Sequence, residues 1–571
     1  MKKISEIVRK NGYPQLCIYG EVQDGLAYIT YLTENNRYAD FAQAGYRLFS
    51  VPVFFGFNRL NEFSGLDVFK RGIFDKIEPD FSLFDEDMKR ILDACPRAYV
   101  FPRVNVSLSR TWELQNPDEL CDPYPDGTAG RASFASDAWA AEVKRELCAF
   151  IAHVEASEYR SHVVGYQIAG GNTEEWLPLD REKGISGKRA TEKLARHVEE
   201  KGSEAADFAY YRRYSELVAD RILEFSALVK RLTSRRLIVG TFYGYTLSCP
   251  DRIFGHHALL KILESEDVDF LCSPLCYSHD RSVGRDHPYG PPLASVKHHG
   301  KLYFSENDTR THLSRAVNGM AWYNAPVWFG PDRECTCDVI KMHAAKALIH
   351  GHAAWWFDMW GGWFADGTYM TLLAELRRLF ESNASDPALP STEVAVFVDE
   401  ECYARMPDAS VSMNVCFNMR EALGKMGAPY DTYLAADAPS VIDRYKAVVS
   451  LVPIETEASR RVKTLAAQSG LAFLEITENN YRITPGELRH FLKCAGVWVY
   501  CDRDAVIIAN DRFVFLHTAE DGEYTLHTDA GKTLVDALTG EPFVQGQYLK
   551  KGKSFLCCYR TCESFGKSLH F

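Results

Sequence analysis

From Tyr46 onward the chain repeats one hydrophobic rhythm. Short apolar runs at Tyr46–Gly56, Ala98–Val106, His162–Gly170, Arg236–Tyr245, Val268–Tyr277, Lys301–Glu306 and Ala353–Asp358 are separated by longer stretches in which apolar residues recur every three or four positions. Strand-length runs alternating with amphipathic helices are the pattern of βα units around a parallel sheet. The clearest helix is Asp137–Ala156, with Trp139, Val143, Leu147, Phe150 and Ile151 at helical spacing on one face and charges on the other. Counting a weak strand expected between Arg131 and Ser136, the pattern predicts an α/β fold, a (β/α)8 TIM barrel with long loops, over residues 1–385.

Periodicity vanishes across Ser382–Thr392, a small, polar, proline-containing stretch that reads as a domain boundary. A strand at Glu393–Val398, a helix at Asn414–Met426, a strand at Ala447–Val452, a further helix and a strand at Leu471–Ile476 then predict a small α/β domain over 391–500. After Gly496 the runs shorten. Strands are expected at Gly496–Cys501, Ala505–Ala509, Phe513–Thr518 and Tyr524–Thr528, with a turn at Asp521-Gly522, which suits a C-terminal β-sandwich or small barrel over 501–571.

Composition narrows the class. A chain of 571 residues is too long for one core, and 46% hydrophobic with 25% charged residues is ordinary globular usage. The formal net charge of -12 argues against nucleic acid as a partner, because phosphate binding draws on surplus Lys and Arg. The N-terminal lysines are followed by Glu6 and Arg9-Lys10 rather than an apolar signal core, and no apolar run approaches the roughly 18 residues of a spanning helix, so a cytoplasmic protein with no membrane partner is expected. Sixteen cysteines, many inside apolar strands, fit a reducing compartment. Neither Cys335-x-Cys337 nor Cys557-Cys558-x3-Cys562 has the spacing of a zinc site, and no metal or other cofactor is expected.

In a parallel barrel, functional groups gather where strands end at their C-terminal edge. Two strand ends deliver carboxylates: His162–Trp176, through Asn172, Glu174 and Glu175, and Lys301–Asp308, through Glu306. Retaining cleavage of a glycoside needs two carboxyl groups about 5 Å apart, one attacking the anomeric carbon and one protonating the departing oxygen. Glu306 directly follows apolar strand residues and should be held rigidly, as a nucleophile requires. Of the adjacent pair, Glu175 beside Trp176 is the expected acid/base, since an apolar wall raises a carboxyl pKa; Glu174 is the alternative. Arg103 could bond the nucleophile or pair with a barrel-floor acid. Trp355, Trp356, Trp360 and Trp363 place four of the ten tryptophans within nine residues. Aromatic faces bind sugar C–H surfaces well, so Trp356, Trp363 and Trp176 are expected substrate walls and Asp358 a hydroxyl acceptor. Tyr243, Tyr245 and Tyr277 are strand-end candidates that could equally be core. His343, His350 and His352 read as core or surface residues. There is no GxSxG, no HExxH, and Gly566-Lys567-Ser568 lacks the first glycine of a phosphate loop.

These residues resemble those of clan-A glycosidases, specifically family 42 β-galactosidases. The likeness covers nearly the whole chain and includes Phe513-Val514-Phe515-Leu516-His517 and Asp536-Ala537-Leu538-Thr539-Gly540-Glu541 in the last segment. It implies that Glu175 and Glu306 are acid/base and nucleophile on strands four and seven, that Arg103 is the strand-two arginine, that the α/β domain is flavodoxin-like and trimerises the chain, and that the substrate is a small β-galactoside-like carbohydrate. One departure is clear. The clan places Asn directly before the acid/base Glu at the strand end, where this chain has Gly170-Gly171. A β-glycosidase of other specificity, such as a mannosidase, a transglycosylase or phosphorylase using the same carboxylates, and a carbohydrate-binding barrel without catalysis are the alternatives.

Overall fold

The computed structural model describes residues 2–56, 72–121, 131–171, 173–177, 203–314, 331–406, 408–529 and 532–561. Eight parallel strands close a barrel: β1 (Leu26–Ile29), β2 (Leu48–Phe54), β3 (Tyr99–Asn105), β4 (Gly165–Ala169), β5 (Ile238–Phe242), β6 (Phe270–Pro274), β7 (Leu302–Asn307) and β8 (Ala353–Phe357). Pairing of β8 with β1, from Ala354↔Leu26 to Phe357↔Ile29, completes the ring. Almost every strand residue is buried because helices cover the outside while side chains fill the inside, and such strands read as continuous apolar runs.

Six strands fall within the expected runs, the strand Leu302–Asn307 passes its run by one residue, and the eighth lies outside them all. It is Leu26–Ile29, N-terminal to all of them, and Arg131–Ser136 contributes only an isolated bridge between Leu120 and Ala132. In that stretch Ser133 Oγ accepts from Ala135 N and Ser136 Oγ accepts from Trp139 N, so the segment serves as a turn and a helix cap. The true first strand is only four residues long, too short for a periodicity signal. Arg103 accordingly stands on the third strand, not the second.

The helix Asp137–Ala156 forms with its expected bounds, and its five predicted core residues are all buried. An antiparallel hairpin, Ser5–Lys10 with Tyr13–Ile18, lies against the N-terminal ends of the strands: Ser5 Oγ donates to Val164 O and accepts from Ile238 N. That leaves the opposite, C-terminal end open for the long loops.

Beyond the barrel, β9 (Val394–Val398), β10 (Asp431–Leu434), β11 (Ala447–Leu451) and β12 (Ala472–Ile476) form a parallel sheet in the order β10-β9-β11-β12. The helix expected at Asn414–Met426 runs Ala409–Gly424, started by Asp408, whose side chain accepts from Ser410 N. The last segment holds β13 (Ala505–Ala509), β14 (Phe513–Thr518), β15 (Gly522–Tyr524), β16 (Lys532–Asp536), β17 (Gln547–Leu549) and β18 (Ser554–Thr561), arranged as an antiparallel sheet β13-β14-β18-β16 and a two-stranded ribbon β15-β17. These share an apolar cluster that includes Val514, Leu516, Tyr524, Leu534 and Leu549. Gly496–Cys501 is not a strand: Val497 N bonds back to Leu492 O and Tyr500 N to Gly427 O, which ties the segment to a helix end. Strand structure at Tyr524–Thr528 stops at Tyr524. A larger apolar cluster runs without interruption from the barrel through Val394, Val396 and Leu451 to Val506, Phe515 and Leu556.

Candidate active site

The C-terminal ends of β3, β4 and β7 bring one arginine and three glutamates together. Arg103, fully buried, lies over the rings of Phe242, Trp355 and Phe357 with its guanidinium carbon 4.9, 5.1 and 5.2 Å from their centroids. It donates from Nη2 to Glu306 Oε2 at 2.6 Å, from Nη1 to Glu174 Oε2 at 3.3 Å and from Nε to Gln167 Oε1 at 3.2 Å. Burial opposes its charge, but the carboxylates of Glu306 and Glu174 outweigh that and hold it cationic.

Glu306, 4% exposed, is the penultimate residue of β7, in register with Pro274 on β6 and Trp355 on β8. Burial pushes its carboxyl up to about 7, against the pull of Arg103 and with a further push from Asp308. Asp308 is itself ion-paired to Arg281 at 2.7 Å and accepts from the Tyr277 hydroxyl at 3.0 Å. The Arg281 guanidinium lies 3.9 Å over the Tyr277 ring, and Tyr277 is 38% exposed.

The other two glutamates sit on a contorted turn. After β4 the backbone takes positive φ at Gly171 (80°), Glu174 (69°) and Trp176 (59°). For the two non-glycine residues that conformation costs about 1 kcal/mol or more each. Hydrogen bonds across the turn hold it: Trp176 N donates to Gly170 O at 2.8 Å and Gly170 N to Glu174 O at 3.2 Å. The Trp176 ring then folds onto Gly170 so closely that a Cβ there would lie 2.7 Å from it. The glycine pair is therefore what lets the turn double back and present both glutamates at the strand end.

Glu174 and Glu175 have different surroundings. Glu174 accepts from the Tyr31 hydroxyl at 2.6 Å and from Arg103; burial raises its pKa while these two donors oppose the rise. Among the described residues no such cation pairs with Glu175. Burial first and the negative charge of Glu306 second push it up to about 8, with smaller opposing contributions from Thr173 and Tyr245. Its carbonyl oxygen lies 3.0 Å from His256 Nε2. Burial takes that imidazole down to about 3, so it is neutral; Nδ1 accepts from Tyr245 N, which assigns the proton to Nε2 as donor to Glu175 O. Burial and Glu306 thus favour the protonated form of Glu175 near pH 7 while Arg103 favours the ionised form of Glu306, the contrast that a general acid and a nucleophile would need.

Other predicted site residues lie elsewhere. Trp176 is not a wall of the mouth: it is fully buried against Phe134 and Phe225, and its indole N–H donates to Thr241 Oγ1 at 3.0 Å. Trp356 points outward from β8 and donates to the Tyr46 hydroxyl at 3.0 Å; its neighbours Trp355 and Phe357 face inward. Asp358 is committed to structure, accepting from Tyr28 Oη, Trp363 N and Gly362 N at 2.8, 2.7 and 3.0 Å. Tyr243 is core, its hydroxyl 2.9 Å from both Ser215 O and Gly255 O and able to donate to either. Trp363 is 3% exposed, with Arg310 over its ring. Asn172 lies outside the described residues. Sequence reasoning passed over Tyr31, Gln167, Asp308, Arg281 and His256; only Asp308, two residues past Glu306, carried a signal. Among the described residues no group of three or more His, Cys, Asp or Glu is placed to hold a metal ion.

No protein-family model and no curated protein matches the sequence. The fold is shared with solved structures. A β-galactosidase from Bacillus circulans sp. alkalophilus superposes with a TM-score of 0.58 at 13% identity over 94% of this chain and 98% of its own. The apo GH42 exo-carrageenase from Bacteroides ovatus gives 0.59 at 12% over 98% and 85%, and a β-galactosidase from the psychrophilic Marinomonas ef1 gives 0.57 at 12% over 93% and 99%.

Proposed function

We propose that this protein is a retaining, exo-acting β-glycosidase, a divergent relative of the GH42 enzymes whose fold it shares. The observation that carries the reading is an arginine-bound buried carboxylate, Glu306, whose charge acts on a second buried carboxyl, Glu175, pushed up to about 8. In the first step a Glu306 oxygen attacks the anomeric carbon and the glycosidic C–O bond breaks, while the departing oxygen takes the proton of Glu175. The sugar is left as an ester of Glu306. In the second, a water attacks the same carbon and gives its proton to the Glu175 carboxylate, the ester bond breaks, and both glutamates return to their starting states.

The substrate is a small β-glycoside, with a β-galactoside as the first choice. A different sugar is supported by the Gly170-Gly171 turn at the end of β4. A barrel kept only for binding would have no use for a carboxyl held protonated beside an arginine-paired one. The division into a barrel over 1–385, a trimerising α/β domain over 391–500 and a β-domain over 501–571, and a cytoplasmic homotrimer, belong to the same proposal; light scattering of the purified chain reads the trimer. The activity is tested on a panel of nitrophenyl β-glycosides: release by the wild type, lost in Glu306→Ala and with retained anomeric configuration in the product, is the expected result. No release across the panel, or equal release by the variant, overturns it.

A further inference from the structure

Arg103 serves two carboxylates, and the proposed reaction consumes one of them. While Glu306 is an ester it carries no charge, yet Arg103 stays fully buried among Phe242, Trp355 and Phe357 and cannot lose its proton. A buried cation without a counter-ion is strongly unfavourable. The intermediate would bear that cost unless a second anion stood ready. Glu174 is that anion: fully buried, with Oε2 3.3 Å from Nη1 and 2.6 Å from the Tyr31 hydroxyl that also donates to it, on a residue with φ of 69°. With both carboxylates ionised, the trio of Glu306, Arg103 and Glu174 carries one net negative charge, which favours attack on an electron-poor carbon. After attack it is a neutral Arg103–Glu174 pair.

We propose that Glu174 is a positioning residue that neutralises Arg103 whenever Glu306 is esterified, and so stabilises the glycosyl-enzyme without touching the sugar. This rests on the retaining reading above. The same charge works in the opposite sense on the free enzyme: it repels the Glu306 carboxylate and takes a share of Arg103, so Glu174 raises the Glu306 pKa. Removing it should make the nucleophile more readily ionised and yet slower to form an ester. A purely structural role would not give that combination.

The test uses the full-length chain with a dinitrophenyl 2-deoxy-2-fluoro-glycoside of whichever sugar the panel shows to be cleaved. The leaving group needs no acid, so trapping reads ester formation alone. In Glu174→Gln the trapping rate should fall roughly a hundredfold, while the acidic limb of its pH dependence moves to lower pH. Glu174→Asp, which keeps the charge, should recover much of the rate and return the limb toward the wild type. An unchanged trapping rate in Glu174→Gln, a limb that stays put or moves up, or Asp and Gln variants that are equally slow, overturns the assignment. Should Glu174→Gln not fold, the Asp variant decides: a wild-type limb with a rate above one tenth of wild type supports the role, and a lower rate overturns it. Absence of a trapped peptide at Glu306 in the wild type would instead refute the retaining reading itself.

Discussion

Arg103 Nη2 meets Glu306 Oε2 at 2.6 Å, across the barrel from β3 to β7, and this bond opposes the upward push of burial on the Glu306 carboxyl. Replacing Arg103 by Gln should leave Glu306 beside Glu174 and Asp308 with no cation in contact. Its pKa then rises, the acidic limb of kcat/KM moves to higher pH, and kcat/KM at pH 7 falls by about 10²–10³. Arg103→Lys should also be impaired, because one ammonium cannot reach Glu306, Glu174 and Gln167 in the geometry of the guanidinium fork. Steady-state kinetics across pH checks both.

The pH profile of the wild type should be a narrow bell. The proposed mechanism requires Glu306 ionised and Glu175 protonated, so activity should fall as pH drops below about 7 and again as it rises above about 8. Because the two carboxyls interact, the limbs belong to the pair. In Glu306→Gln the charge that raises Glu175 is gone, and the Glu175 pKa should fall; a downward shift of its titration, followed by carboxyl NMR or infrared difference spectra, is the measurement.

Two tryptophans separate packing from binding. Trp356→Phe loses the bond to Tyr46 and part of a buried ring, and should cost about 1–3 kcal/mol of stability with KM unchanged. Gly170→Ala should be severe, since the new Cβ meets the Trp176 ring at 2.7 Å and must move the turn that seats both glutamates. Denaturant unfolding reads the first effect, and loss of kcat in soluble protein the second.

Glu146, remote from the site, is 3% exposed on the helix Asp137–Ala156, and burial together with Glu142 pushes it up to about 9. Its folded pKa lies above its unfolded one. The folded state therefore binds the extra proton, and stability falls as pH climbs from about 4.5 toward 9. Glu146→Gln should remove that dependence: little change in Tm near pH 4, and a gain of about 2 kcal/mol near pH 8. Thermal melts of both proteins at the two pH values test it.

The sequence by itself determined the barrel rhythm, the helix Asp137–Ala156, the parallel strands β9, β11 and β12, and the strand ends that carry Glu175 and Glu306. Those features are local: period, run length and cap chemistry act over a few residues. It missed Leu26–Ile29 as a strand, because four residues are too few for periodicity to register and the pairing with Ala354–Phe357 spans more than three hundred positions. Alternation along Ala353–Phe357 separated Trp355 from Trp356, but which of the two faced inward was decided by closure of the ring. The tertiary structure alone decided the surroundings of Glu174 and Glu175, neighbours in sequence with nearly identical local signals. The turn at Gly170-Gly171 sends one to Arg103 and Tyr31 and leaves the other buried in negatively biased surroundings, and the electrostatics of a carboxyl group depend on what lies within a few ångströms in space, supplied here by β3, β7 and the loop after β1.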